Sequence, residues 1–171
     1  MSGMSLLPIP PIESATDPIH SPADLQQRWR ALMQELGFGQ RLLRFAFIGP
    51  DRCFIKVLVD VEIGLRPDPT RIDDLMWVLA ELLGDKGPGH TVALLLTRPG
   101  RGGLSNNDLR WAEALTSAAR RLDIPLEPFF RANDEALLPV VPRVGLGEVA
   151  VGRRPRFEQL DVALGGLHPR Q

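Results

Sequence analysis

One cysteine, three histidines and two lysines in 171 residues leave this chain short of common chemical tools. With Cys53 alone, an intramolecular disulfide is impossible and a cysteine-built zinc site is excluded. Cys53 itself reads as a small buried hydrophobe in a strand run. His20, His90 and His168 lie far apart and show no metal-ligand spacing. His90 falls in a Gly-Pro-Gly-His turn, and no Ser/His/Asp constellation is visible. The formal charge of -1 gives no global drive toward nucleic acid or an anionic membrane. Lysine occurs only at Lys56 and Lys86, and the other 18 basic residues are arginine, a bias of a GC-rich coding sequence more than of a function. No apolar run is long enough to span a membrane. The opening MSGMSLLPIPPIESATDP lacks the charged and unbroken apolar regions of a signal peptide. Elimination gives the expectation of a cytoplasmic protein with no membrane partner, no cofactor and no metal.

What is present is an ordinary globular composition, 44% hydrophobic and 24% charged. The length favours one domain plus tails. Residues 1–20 carry Pro8, Pro10, Pro11 and Pro18 and read as an extended or disordered Pro-rich arm. Its LLPIPPI run is apolar enough to dock on a surface, its own or a partner's. Residues 21–141 form the expected domain. Residues 142–171 read as a flexible Arg/Gly/Pro-rich tail with Arg143, Arg153, Arg154 and Arg156. The sharper alternative is a basic tether for RNA, DNA or an acidic protein.

Three helix starts share one device. Ser21-Pro-Ala-Asp24, Thr70-Arg-Ile-Asp73 and Ser105-Asn-Asn-Asp108 have the S/T-x-x-D form of a capping box. Apolar stripes follow at helical spacing: Leu25, Trp29, Leu32, Leu36; Ile72, Leu75, Leu79, Leu82; Trp111, Leu115, Ala118, Leu122. Gly37 and Gly84 are expected stops for the first two helices. Leu43, Phe45 and Phe47 alternate on one run, and Phe54, Lys56, Leu58 and Asp60 on the next. Gly49-Pro50-Asp51-Arg52 between them predicts a hairpin. Thr91–Thr97 reads as a central strand covered on both faces. Leu126–Arg131 and Ala136–Val141 read as a last strand pair around Asn133-Asp134. The order α-β-β-α-β-α-β-β predicts an α/β fold with a single mixed sheet and flanking helices.

The stretch Thr91–Leu122 carries the most information: strand, Gly-rich turn, capped helix. Arg98, Gly100, Arg101, Gly102, Gly103, Ser105 and Asp108 form a candidate anion- or partner-binding loop. Its arginines supply charge, its glycines permit close backbone approach, and the helix start offers free amides. The plain alternative is a tight solvated turn. It is not a Walker A loop, because no Gly-Lys-Ser/Thr follows. Asp108 has a structural explanation as a capping acid. Trp29 and Trp111 lie on apolar stripes and read as core or interface, while Trp77 lies beside its stripe and reads as half exposed.

This order and this turn resemble the JAB/MPN metalloprotease family, closest to its RadC-like branch, over roughly Gln40 to Val141. RadC-like proteins carry an H-x-H-P-x-G turn after the central strand, then a Ser and an Asp at the next helix. Here the turn reads Leu96-Thr97-Arg98-Pro99-Gly100, followed by Ser105 and Asp108. Pro99, Ser105 and Asp108 match. Leu96 and Arg98 stand where two zinc-binding histidines belong, and Gln40 falls near the catalytic Glu. The resemblance implies a degenerate member without the family's hydrolytic chemistry. The reading that follows is a non-catalytic binding or regulatory module working through a protein partner. The alternatives are a small-anion or nucleotide binder at the Arg98–Ser105 loop, and a nucleic-acid accessory protein using the tail.

Overall fold

The computed structural model describes residues 8–142. Helix α1 spans Pro22–Met33, strands β1 and β2 span Leu42–Ile48 and Phe54–Glu62, and helix α2 spans Pro69–Lys86. Strand β3 (Thr91–Thr97), helix α3 (Asn106–Arg121) and strands β4 (Phe129–Ala132) and β5 (Leu137–Val140) complete the expected order. The five strands make one mixed sheet in the order β2-β1-β3-β4-β5. β1 runs antiparallel to both β2 and β3, β3 and β4 are parallel, and β4 and β5 are antiparallel. The parallel pair is the one joined through a helix, as a crossover demands.

Strand periodicity separates two cores, because successive side chains face opposite sides of a sheet. Leu43, Phe45, Phe47, Val92, Leu94, Leu96 and Phe129 pack with α2 and α3 on one face. Ala46, Ile48, Phe54, Ala93, Leu95 and Phe130 pack with α1 on the other. β3 is buried along nearly its whole length, as a two-sided central strand should be. Opposite the loop end of the sheet, Arg52 clasps Glu127 through two bonds of 2.8 and 3.3 Å, and the Thr91 hydroxyl donates to Glu127 at 2.7 Å. That cluster ties the β1–β2 turn to both strands of the parallel pair.

Helix starts follow their local chemistry, with one correction. Ser21 caps α1 by accepting from the Asp24 amide, and Asp24 accepts from the His20 amide. Ser105 and Asp108 form the full reciprocal box on α3. Thr70 is not the cap of α2. Asp68 accepts from the Thr70 amide, Pro69 takes the first helical position, and the helix begins earlier than expected. The far end also moves. α2 runs through Gly84 to Lys86 and stops at Gly87, whose φ of 96° suits glycine. α1 ends before Gly37, at Gln34 with φ 55°. The buried stripe of α2 is Ile72, Met76, Leu79 and Leu83, whereas Leu82 is exposed. Cys53 is half-buried in the turn before β2, not packed within a strand.

Residues 8–20 differ most from expectation. Ile12–Thr16 form a turn of 3-10 helix, and Ala15 is buried. Ile19 is 1% exposed and packs into the α1 core. Its amide donates to the Arg52 carbonyl, and Arg52 returns a bond to the Ile19 carbonyl. Arg28 of α1 holds the Asp17 and Pro18 carbonyls. Prolines here remove donors without preventing burial, because the segment needs no strand or helix ladder. Ile19→Ala is therefore expected to cost about 2–5 kcal/mol, as for buried aliphatics generally. A urea midpoint equal to wild type would show that the segment carries no stability.

Candidate functional site

The turn after β3 folds into the chain's own polar groups. Arg98 is nearly buried, and its Nε and Nη2 each donate to a carboxylate oxygen of Asp108 at 2.8 Å. Asp108 is fully buried and also accepts from the Ser105 amide. This two-pronged pairing is the strong geometry for guanidinium and carboxylate. Burial by itself would raise the Asp108 pKa. The Arg98 bonds, the Ser105 amide and the nearby Arg131 charge outweigh it and hold the carboxyl below its ordinary value.

The glycines are pinned by the β4–β5 turn. The Gly100 amide donates to Asp134 at 2.9 Å and the Gly102 amide to Glu135 at 2.7 Å. Both glycines have positive φ, 109° and 94°, where a side chain would be strained. Asp134 also accepts from the Phe38 amide, and these two backbone bonds lower its pKa. Asn133 donates to the Gly102 carbonyl and accepts from the Glu135 and Ala136 amides. Arg101 stays at the surface, 3.5 Å from Glu135. Gly103 and Leu104 are exposed.

The expected loop residues thus part company. Arg98, Ser105 and Asp108 are drawn together below the turn, and Gly100 and Gly102 lend their amides to the chain's own carboxylates. Arg101 alone presents a charge outward. Arg98, a candidate charge for an incoming anion or partner, is instead a buried residue paired with Asp108.

Two arginines complete the site, and the loop pattern did not reveal them. Arg131 of β4 is fully buried, with Nη1 3.8 Å from Asp108 and 3.4 Å from the Gly102 and Gly103 carbonyls. Arg41 precedes β1, and its Nη1 is buried without a hydrogen-bond partner. A signal for both existed in the sequence. Arg131 is two residues from Phe129 and Arg41 two from Leu43, so each shares a sheet face with a core residue.

The donor set does not fit the zinc that active members of the resembled family bind. Catalytic zinc takes about three protein ligands and an open position. Leu96 has no donor atom, Arg98 is a permanent cation, and Asp108 is spent on Arg98. Among the described residues, no group of three or more His, Cys, Asp or Glu side chains could hold a metal ion. Gln40, near the place of the family's base, is exposed and lines a shallow depression with Phe38, Leu42 and Arg44. The Trp29 and Trp111 rings are both buried and Trp77 is half-buried. Arg143, Arg153, Arg154, Arg156 and His168 lie outside the described residues. No described helix is long and apolar enough to cross a membrane.

Searches against protein-family models, curated proteins and solved structures find no match to this chain.

Proposed function

We propose that this domain is a non-catalytic binding or regulatory module that works through protein contacts, on a degenerate JAB/RadC-like scaffold. One observation carries the reading: both oxygens of Asp108 are held by the Arg98 guanidinium. In the resembled family those two positions belong to zinc ligands. Here a fixed cation stands opposite the carboxylate and takes both its oxygens, so Asp108 is not left over for a metal or for proton transfer. The turn above it is held rigid at Gly100 and Gly102 while presenting Arg101 and Leu104 outward. A preorganised turn of this kind loses little freedom on meeting a partner.

Protein purified without a metal-binding tag is expected to carry no stoichiometric zinc in elemental analysis. One tightly held zinc per chain would overturn the non-catalytic reading. Arg101→Glu is expected to leave the melting temperature nearly unchanged, as for exposed substitutions, and to weaken recovery of native partners in a quantitative pull-down. Unchanged recovery would remove the turn from the binding surface.

A further inference from the structure

Three arginines stand in a row on one face of the sheet. Leu42 pairs with Thr97, so one step further Arg41 lies opposite Arg98. Leu96 pairs with Arg131 in the parallel ladder. Paired strand residues share a face, and this is the face of Leu43 and Leu96, beneath α3. β1 and β4 flank β3, and Arg131 is offset from Arg41 by two residues along the ladder, so their backbones lie roughly 12 Å apart on the diagonal, a span that two arginine side chains can close.

Against this row stands one carboxylate, and it is already taken. Asp108 gives both oxygens to Arg98. Asp134 and Glu135 are engaged by the Gly100 and Gly102 amides. Nε and Nη2 of Arg131 are buried without any hydrogen-bond partner, and so is Nη1 of Arg41. Nη1 of Arg131 has long contacts, 3.8 Å to Asp108 and 3.4 Å to the carbonyls of the exposed Gly102 and Gly103. Burial lowers the pKa of both Arg41 and Arg131, and Arg98 adds to it, while the shared Asp108 charge offsets only part. Buried charge without a partner is strongly destabilising. A guanidinium cannot escape by losing its proton, so the deficit calls for an anion.

We propose that Arg131 and Arg41 form a buried site for a tetrahedral oxyanion: inorganic phosphate, or the phosphoryl group of a small phosphorylated molecule. Nε and Nη2 of Arg131 form one edge of its fork and grip two oxygens, and Arg41 Nη1 supplies a further donor. A tetrahedral anion offers oxygens to both, whereas a lone carboxylate is satisfied by one fork. Gly102 and Gly103 cover Arg131, and entry displaces their weak carbonyl contacts. This site lies under the turn and is independent of the partner contact proposed at Arg101.

The test is thermal melting of the full chain in phosphate-free buffer at constant ionic strength. Inorganic phosphate, sulfate, phosphoserine, a nucleoside monophosphate and acetate are titrated separately, with chloride as control. Phosphate is expected to raise the melting temperature saturably, and acetate and chloride are not. A stronger response to phosphoserine or the nucleotide assigns the site to a phosphorylated molecule, and a stronger response to phosphate assigns it to the free ion. Arg131→Met is expected to abolish the response while keeping or raising the phosphate-free melting temperature, because it removes a buried charge whose nearest carboxylate already pairs with Arg98. Arg41→Met, at a partly exposed position, is expected to weaken binding roughly tenfold or more. Phosphate released on denaturation of purified protein, measured colorimetrically, covers the case of a site filled during expression. No saturable response together with no released phosphate overturns the proposal. So does an Arg41→Met response equal to wild type, even if Arg131→Met does not fold.

Discussion

Asp108→Asn is expected to lower the free energy of unfolding by about 3–5 kcal/mol, the range for leaving a buried charge without its partner. The substitution is nearly isosteric, so packing is not its main effect. It removes the one carboxylate facing Arg98 and Arg131, and it weakens the box that starts α3. The pH dependence has a definite sign. Asp108 has a folded pKa below its ordinary value of 3.8. Its contribution is present above that value and is lost as pH falls through the folded pKa. The stability gap between wild type and Asp108→Asn should therefore be widest near neutral pH and close as the solution is acidified below about 4. Urea unfolding at a series of pH values measures both. A gap of a few tenths of a kcal/mol, or one independent of pH, would show that Arg98 and Arg131 do not depend on this carboxylate.

Trp111→Ala is the second large effect, expected at about 3–5 kcal/mol. The ring lies in the core between α3, α2 and the sheet, 4% exposed. Its Nε1 donates to the Leu65 carbonyl at 3.1 Å, fixing the segment that leads from β2 into α2. Alanine removes a large buried surface and that bond together. Trp111→Phe keeps most of the surface and loses the bond, so it should cost clearly less. Equal midpoints for wild type and Trp111→Ala would place the ring outside the core and return it to the binding surface.

The two predictions differ in how far the sequence anticipates them. Trp111 follows the Ser105–Asp108 box by a short helical step, and the stripe through Leu115 and Ala118 marks its face. Periodicity and capping are local properties, and α3, the β1–β2 hairpin and β3 follow from them. α2 shows where local reading fails. Its LMWVLAELL run is apolar on two neighbouring faces, so Leu75 and Leu82 look as inward as Met76 and Leu83. Contact with α3 and the sheet settles the phase. Thr70-Arg-Ile-Asp73 has the form of a capping box, yet the cap lies two residues earlier, at Asp68 before Pro69.

The chain's own residues specified the class of fold, the order of its elements and the capped start of α3. All of these rest on spacing within a few residues. Tertiary structure decided what lies far apart in sequence: that β4 joins β3 in parallel, that Ile19 fills the α1 core, and that Arg98 and Arg131 meet at Asp108 with Arg41 opposite Arg98. Burial of an arginine depends on which strands lie beside it and what covers them. The two-residue spacing from Phe129 and Leu43 puts Arg131 and Arg41 on a core face, but only the assembled sheet shows what covers them and which charges they meet.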